Sequence, residues 1–246
     1  MSKNLSKKFP KLIEDLHNIN QFDLDKFLHC GIPFMPLNLK VPLISEKVFN
    51  QTVADCYSWR SQWKDVEDDY QTHDWTGSVL FGPNDWNSWL KTIEYDLSTF
   101  TLDYDAICKK YRYSQEFTWR VDESNPMREW INSIFENKDL YLVNVINIPP
   151  GGYLFPHIDK NPNPHLNKIY IAVNWPEGNH FHFNGFGEIP ISDNTSWLIN
   201  NYRYSHWAYN DSDENRLVIM ISANLSVIKN IIFDSWTQML NVYKNS

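Results

Sequence analysis

The stretch LYLVNVINIPPGGYLFPHID (140–159) governs how the whole chain is read. Leu140 to Ile148 is a run of apolar and β-branched residues of strand length. It is halted by Pro149-Pro150-Gly151-Gly152, a strong turn signal. Asn144 and Asn147 differ by three positions, so a strand cannot turn both to one face. After the turn the chain is read as extended again. His157 and Asp159, two residues apart, would then project to the same side.

Downstream the texture persists. NKIYIAVNW (167–175), NHFHF (179–183), TSWLINN (195–201) and RLVIMISANL (216–225) read as further short strands. Strands at this spacing, joined by turns rich in Pro, Gly and Asn, predict an antiparallel sandwich or barrel. SVIKNIIFDSWTQMLNVY (226–243) returns to helical spacing.

Upstream the chain reads mostly helical. Leu12, Ile13, Leu16 and Ile19 fit a helix over about 6–18. The three prolines of GIPFMPLNLKVPL (31–43) argue for an irregular, extended connection. Ser45 is the expected N-cap of a helix carrying Val48, Phe49, Val53 and Trp59. HDWTGSVLFG (73–82) reads as a strand with a glycine kink. Asn84 or Asp85 would cap a helix running to about Ser98, with Trp86, Trp89, Leu90 and Ile93 inward. Asn125-Pro126 marks another start, with Asn as cap and Pro in the first turn, and that helix is expected to reach about Phe135. The predicted class is α+β, mainly β. One domain covers 1–246, with mostly helical support and pocket-building residues over 1–138, the β core over 139–225 and a C-terminal helix over 226–246.

Composition limits the function classes. The chain has 246 residues, of which 42% are apolar and 15% aromatic, so it can bury a core and is not a disordered chain. Lys and Arg total 22 against 30 Asp and Glu, a net charge of −8 with no basic stripe, which argues against a nucleic-acid partner. No apolar stretch approaches the ~20 residues of a membrane span, and the basic N-terminus has no apolar signal core. Cys30, Cys56 and Cys108 are odd in number and widely spaced, forming neither a metal pair nor a disulfide framework. A reducing, cytoplasmic setting fits best.

The chemistry is expected at His157, Asp159 and His206, the last 49 residues beyond the first in YRYSHWAYN. Two imidazoles and one carboxylate on one face leave three positions open on an octahedral ion. That is the ligand set of non-haem Fe(II) oxygenases, whose open positions take a chelating cosubstrate and O2. Arg216, ten residues after His206, leads an apolar strand and could grip the far carboxylate of a small diacid in bidentate fashion. Its face would include Val218 and Met220, the lining of a cavity. Lys168, Tyr170, Ala172 and Asn174 share another face, so Lys168 and Tyr170 could supply a second cation and a hydroxyl donor.

With these residues in place, the chain resembles the Fe(II)/2-oxoglutarate-dependent oxygenases. SHWAYNDSDENRLVIMISANL (205–225) is similar to the C-terminal segment of the aspartyl/asparaginyl β-hydroxylases, a group that includes free-proline hydroxylases. The matching residues are His206, Asn210, the acidic run Asp211-Ser212-Asp213-Glu214, and Arg216. NKIYIAVNWPEG (167–178) resembles that family's basic–x–aromatic/His strand, with Lys168 and Tyr170 where Arg and His are usual. The resemblance covers about 143–225. It implies a double-stranded β-helix, or jelly roll, with iron at His157, Asp159 and His206 and 2-oxoglutarate at Arg216, Lys168 and Tyr170. The substrate would be an amino acid, an amino-acid derivative or a peptide residue, with succinate and CO2 released. Asp159 completes the iron ligands, where halogenases of this kind have Gly, so hydroxylation or desaturation is implied.

Blander readings compete. His157 and Asp159 could be turn residues, His206 a core histidine, and Arg216 the partner of the acidic run. His180 and His182, with Glu188 following, offer a rival: a cupin-like metalloenzyme that needs no 2-oxoglutarate. A non-catalytic jelly-roll module holding a ligand in an aromatic cleft is a third reading. His73, beside Asp74-Trp75, could border a substrate pocket. Trp207 should face away from His206, outside the barrel.

Overall fold

The computed structural model describes residues 22–54, 57–58, 75–85, 116–159 and 168–244. The expected helices over 6–18 and 84–98, Trp59 and His73 lie outside them. The helices are α1 (Leu24–His29), α2 (Glu46–Ala54), α3 (Pro126–Asn132) and α4 (Lys229–Lys244). The strands are β1 (Phe34–Leu37), β2 (Tyr57–Ser58), β3 (Thr76–Pro83), β4 (Phe117–Trp119), β5 (Leu140–Ile148) and β6 (Tyr153–His157). They continue as β7 (Lys168–Asn174), β8 (Asn179–Phe183), β9 (Gly187–Glu188), β10 (Ser196–Ile199), β11 (His206–Asn210) and β12 (Arg216–Ala223).

Two antiparallel sheets hold these strands. The larger runs β1-β10-β7-β12-β5-β3-β2, with β4 paired to β3, and the smaller runs β6-β11-β8-β9. From β5 to β12 the chain winds back and forth between the sheets: β5 large, β6 small, β7 large, β8 and β9 small, β10 large, β11 small, β12 large. That winding is the double-stranded β-helix.

Burial explains why some strands were plain in the sequence. Strands of the larger sheet are covered on both faces. In β5, Val143 and Val145 join the core under the helices, while Ile146 and Ile148 face the smaller sheet. A strand covered twice reads as a continuous apolar run. Strands of the smaller sheet have one face on the core. β8 therefore alternates, with Asn179, Phe181 and Phe183 buried and His180 and His182 half-buried.

The N-terminal region contributes more strand than its sequence predicts. Phe34–Leu37 pairs with β10 although it contains Pro36. β1 is the edge of its sheet and binds on one side only, so the missing N–H of proline is tolerated there. β2 and β4 likewise had no clear signature. Two caps form as read. Asn125 Oδ1 accepts from the N–H groups of Met127 and Arg128, and Ser45 Oγ accepts from Val48 N–H. α3 stops at Asn132 rather than Phe135, although turn bonds continue from Ile134 and Phe135 N–H to Ile131 O, at 3.0 and 2.9 Å. Behind the larger sheet, Ile228, Ile232, Trp236 and Leu240 recur every four residues into and along α4 and bury one stripe in the core, with Trp236 against Phe27. No helix among the described residues is long and apolar enough to cross a membrane.

Candidate metal centre and anion pocket

The turn at 149–152 starts the construction of the site. Gly152 N–H donates to Pro149 O at 2.9 Å, and Gly151 sits at φ +71°, as the third position of a type II turn requires. The turn delivers β6 to the edge of the smaller sheet beside β11. There His157 and His206 are direct cross-strand partners, which places both rings on one face with centroids 4.3 Å apart. A bulge between these partners and the Ala208–Leu154 pair sets that phase.

Asp159 follows just past the end of β6. Its N–H donates to Asn201 O at 3.0 Å, and Asn201 Nδ2 donates back to Asp159 Oδ2 at 2.7 Å. Lys168 Nζ also donates to Oδ2. The other oxygen, Oδ1, lies 3.2 Å from His157 Nε2 and 3.9 Å from His206 Nε2. Each imidazole sets its Nδ1 against the carbonyl two residues back, His157 on Phe155 O at 2.7 Å and His206 on Tyr204 O at 3.2 Å. Those contacts orient each ring so that its Nε2 faces Asp159 Oδ1.

This donor set fits a divalent ion. With bonds of about 2.0–2.2 Å, adjacent ligand atoms lie roughly 3 Å apart. The three donor atoms here all fall within 4.8 Å of one another. Electrostatics favour the required protonation states at His206 and Asp159. Burial pushes His206 down to about 4 against the pull of Asp159, so the ring is neutral at pH 7. Burial opposes charge on Asp159, but Lys168 and the two histidines outweigh it and hold the carboxyl far below the ordinary carboxylate range. At His157 burial also works against protonation, yet the bond to Asp159 and its charge leave the ring's pKa raised. The His157 side chain is 38% exposed, that of His206 3%.

Arg216 enters the same interior from β12. Asn210 prepares the approach by donating to Ile148 O and Glu214 O, both at 2.8 Å, while its Oδ1 accepts from Ser212. The acidic run is thereby folded into the hairpin turn, and Arg216 falls opposite Ile148. The Arg216 side chain is 1% exposed. Its NH2 donates to Tyr170 OH and its NH1 lies 3.4 Å from His180 O, but Nε has no partner. Aromatic faces surround the guanidinium, with Trp175 at 4.2 Å and Phe181 at 5.6 Å. No carboxylate among the described residues forms an ion pair with it. Phe181 also stacks on His206, centroids 5.6 Å apart, so one ring separates the cation from the face that carries His157 and His206.

The two residues expected beside Arg216 divide. Tyr170 stands there, with its hydroxyl on the guanidinium, whereas Lys168, at the start of β7, reaches Asp159. Val218 lies in the core between the sheets and Met220 packs against it, as alternation from Arg216 requires. His180, His182 and Glu188 face away from that core, on the outer side of the smaller sheet, so they cannot line its cavity as a cupin-like site would. Trp207 stacks on His182 out there as well. Asn201 and Trp175 escaped notice in the sequence. TSWLINN reads as strand throughout, but β10 ends at Ile199, and the chain then carries Asn201 to Asp159. Alternation alone would turn Trp175 with Val173 toward the core under the helices. β7 ends at Asn174 instead, and Trp175 packs between the sheets.

Neither a family model nor a curated relative matches this chain. Several solved structures are similar to it. One is a 2OG-Fe(II) oxygenase family oxidoreductase from Burkholderia pseudomallei, 11% identical, with a TM-score of 0.41 over 83% of this chain and 95% of that one. Another is the viral collagen prolyl hydroxylase from Paramecium bursaria Chlorella virus-1, in complex with 2OG. It is 11% identical, with a TM-score of 0.39 over 78% of this chain and 96% of the other. A cupin domain from Bordetella pertussis is 15% identical, with a TM-score of 0.28 over 36% and 85% of the two chains. The double-stranded β-helix assignment stands on the strand order of the chain itself.

Proposed function

We propose that this chain is an Fe(II)/2-oxoglutarate-dependent oxygenase that hydroxylates an unactivated C–H bond and releases succinate and CO2. The observation that carries the reading is Arg216, a fully buried guanidinium without a carboxylate partner among the described residues, in the same interior as His157, Asp159 and His206. A buried cation of this kind is expensive unless an anion joins it. A diacid that reaches from the metal-ligating face to the guanidinium would supply that anion, and 2-oxoglutarate is such a diacid.

His157 Nε2, His206 Nε2 and Asp159 Oδ1 would hold the iron. When bound, iron supplies the oxidising chemistry with O2. Lys168 and Asn201 occupy Asp159 Oδ2, which keeps Oδ1 pointed at the ion and the carboxylate ionised. Arg216 and the Tyr170 hydroxyl would bind the far carboxylate of 2-oxoglutarate. Trp175 and Phe181 wall that carboxylate off from water, which strengthens the ionic contact. Substrate would approach from the His157 side, past the exposed Ile158. The resemblance of 205–225 to the aspartyl/asparaginyl β-hydroxylases supports an amino acid, an amino-acid derivative or a peptide residue as that substrate.

The test is an anaerobic titration of 2-oxoglutarate into Fe(II)-loaded protein. A weak visible metal-to-ligand charge-transfer band should appear, vanish in His157→Ala, and need far more 2-oxoglutarate in Arg216→Met. Iron that binds without any such band would sink the reading.

A further inference from the structure

The second histidine cluster has a use of its own. His180 and His182 alternate along the outer face of β8, and Glu188 of β9 stands directly opposite His182. One donor atom from each of the three lies within 4.8 Å of the other two. His180 Nδ1 is 2.8 Å from Glu188 Oε1, and His182 Nε2 is shielded from water with no hydrogen-bond partner. The rings are already held in place. His180 stacks on Tyr209 at 4.4 Å, and His182 stacks on Trp207 at 5.1 Å with the planes 9° apart.

We infer that His180, His182 and Glu188 form a second divalent-metal site, separate from the interior one, that takes Zn(II) or a similar late first-row ion. Two imidazoles and a carboxylate suit zinc, with water completing a four-coordinate shell. All three ligands come from one hairpin, β8 to β9, so little chain must be ordered to bring them together. The stacked aromatics hold the imidazoles ready, so the ion need not immobilise them. An ion here would staple β9 to β8. It would also stiffen the strand whose His180 carbonyl faces Arg216 NH1 on the inner side. The site has a structural role at the back of the anion pocket and none in the chemistry within it.

The experiment is metal titration of the full chain with Co(II) and Zn(II), read by calorimetry and visible absorption. Wild type should bind two equivalents. A four-coordinate Co(II) site gives intense visible bands, while the interior site, completed by water to six ligands, gives weak ones. The intense bands should persist in His157→Ala and disappear in His182→Ala. Glu188→Gln, a change at a half-exposed side chain, should weaken the same equivalent at least about tenfold, by analogy with the loss of a ligand's supporting contacts. A single equivalent in wild type that His157→Ala removes would overturn the inference. So would two equivalents unchanged in both His182→Ala and Glu188→Gln. The 2-oxoglutarate titration at the interior iron should be retained in His182→Ala, so failure here and failure of the oxygenase reading are told apart.

Discussion

Replacing Arg216 should weaken cosubstrate binding while leaving the stability of the unliganded protein near that of wild type. The guanidinium is 1% exposed, its Nε is unpartnered, and its one hydroxyl partner is Tyr170. A bidentate grip on a carboxylate makes two charge-assisted hydrogen bonds, each worth about 1.5–3 kcal/mol. Their loss in Arg216→Met should therefore raise the 2-oxoglutarate Kd by roughly 10² to 10⁴ at about 1.4 kcal/mol per decade. Stability of the unliganded protein should change little. Breaking a buried charged contact usually harms a protein, but this charge has no opposite partner to strand, and apolar replacement of buried ionic groups is often neutral or stabilising by about 1–4 kcal/mol. The stranded group is the Tyr170 hydroxyl, whose orphaning costs about 1–3 kcal/mol. Arg216→Met alone should therefore melt near wild type. The pair Arg216→Met/Tyr170→Phe, which removes both partners, should melt higher, by about 2–4 °C for each kcal/mol gained. Scanning calorimetry of the metal-free proteins, with calorimetric titration of 2-oxoglutarate into the Fe(II) forms under nitrogen, reads both effects. A Kd within threefold of wild type would refute the anion-pocket argument. A large drop in melting temperature of the double variant would show that the guanidinium is already satisfied in the free protein.

Other perturbations have equally definite signs. Lys168→Met leaves Asp159 Oδ2 with Asn201 alone, so iron affinity should fall about 10–100-fold, read by competition with a chelator. In metal-free protein His206 is depressed to about 4 from an ordinary 6.5, so unfolding takes up a proton between these values. Its contribution is complete above pH 6.5 and falls by roughly 3 kcal/mol as pH drops to 4. His157, whose pKa is raised, acts in the opposite sense, its contribution fading as pH rises past its folded value. Melting curves from pH 7 to 4 should therefore decline, and His206→Gln should flatten the decline. Asn125→Ala removes the side-chain cap of α3 at a cost of about 1 kcal/mol, and so about 2–4 °C, with the 2-oxoglutarate titration unchanged.

Two physical periods made much of this protein legible in its sequence. The two-residue repeat of a strand assigned Arg216, Val218 and Met220 to one face, and Lys168, Tyr170 and Ala172 to another. It also turned Trp207 away from His206. Double coverage of the larger sheet made β5, β7 and β12 conspicuous as apolar runs. Cap chemistry located the starts of α2 and α3. The strands that escaped notice are β1, β2, β4, β9 and β11, and all but β11 are short or lie at sheet edges. Their pairing depends on a neighbour distant in sequence rather than on their own composition.

What the sequence determined by itself was the identity of the groups: two histidines, an aspartate, an arginine ten residues on, and the β texture that carries them. What only the tertiary structure decided was who meets whom. The register of β11 against β6 sets His157 opposite His206. The early end of β10 carries Asn201 to Asp159. Two residues apart on one face of β7, Lys168 meets the carboxylate and Tyr170 the guanidinium. The reason is that period-two alternation fixes a side chain's face but not its neighbour across the cavity. That neighbour is chosen by the packing of two sheets over a shared core, a long-range balance that no local spacing encodes.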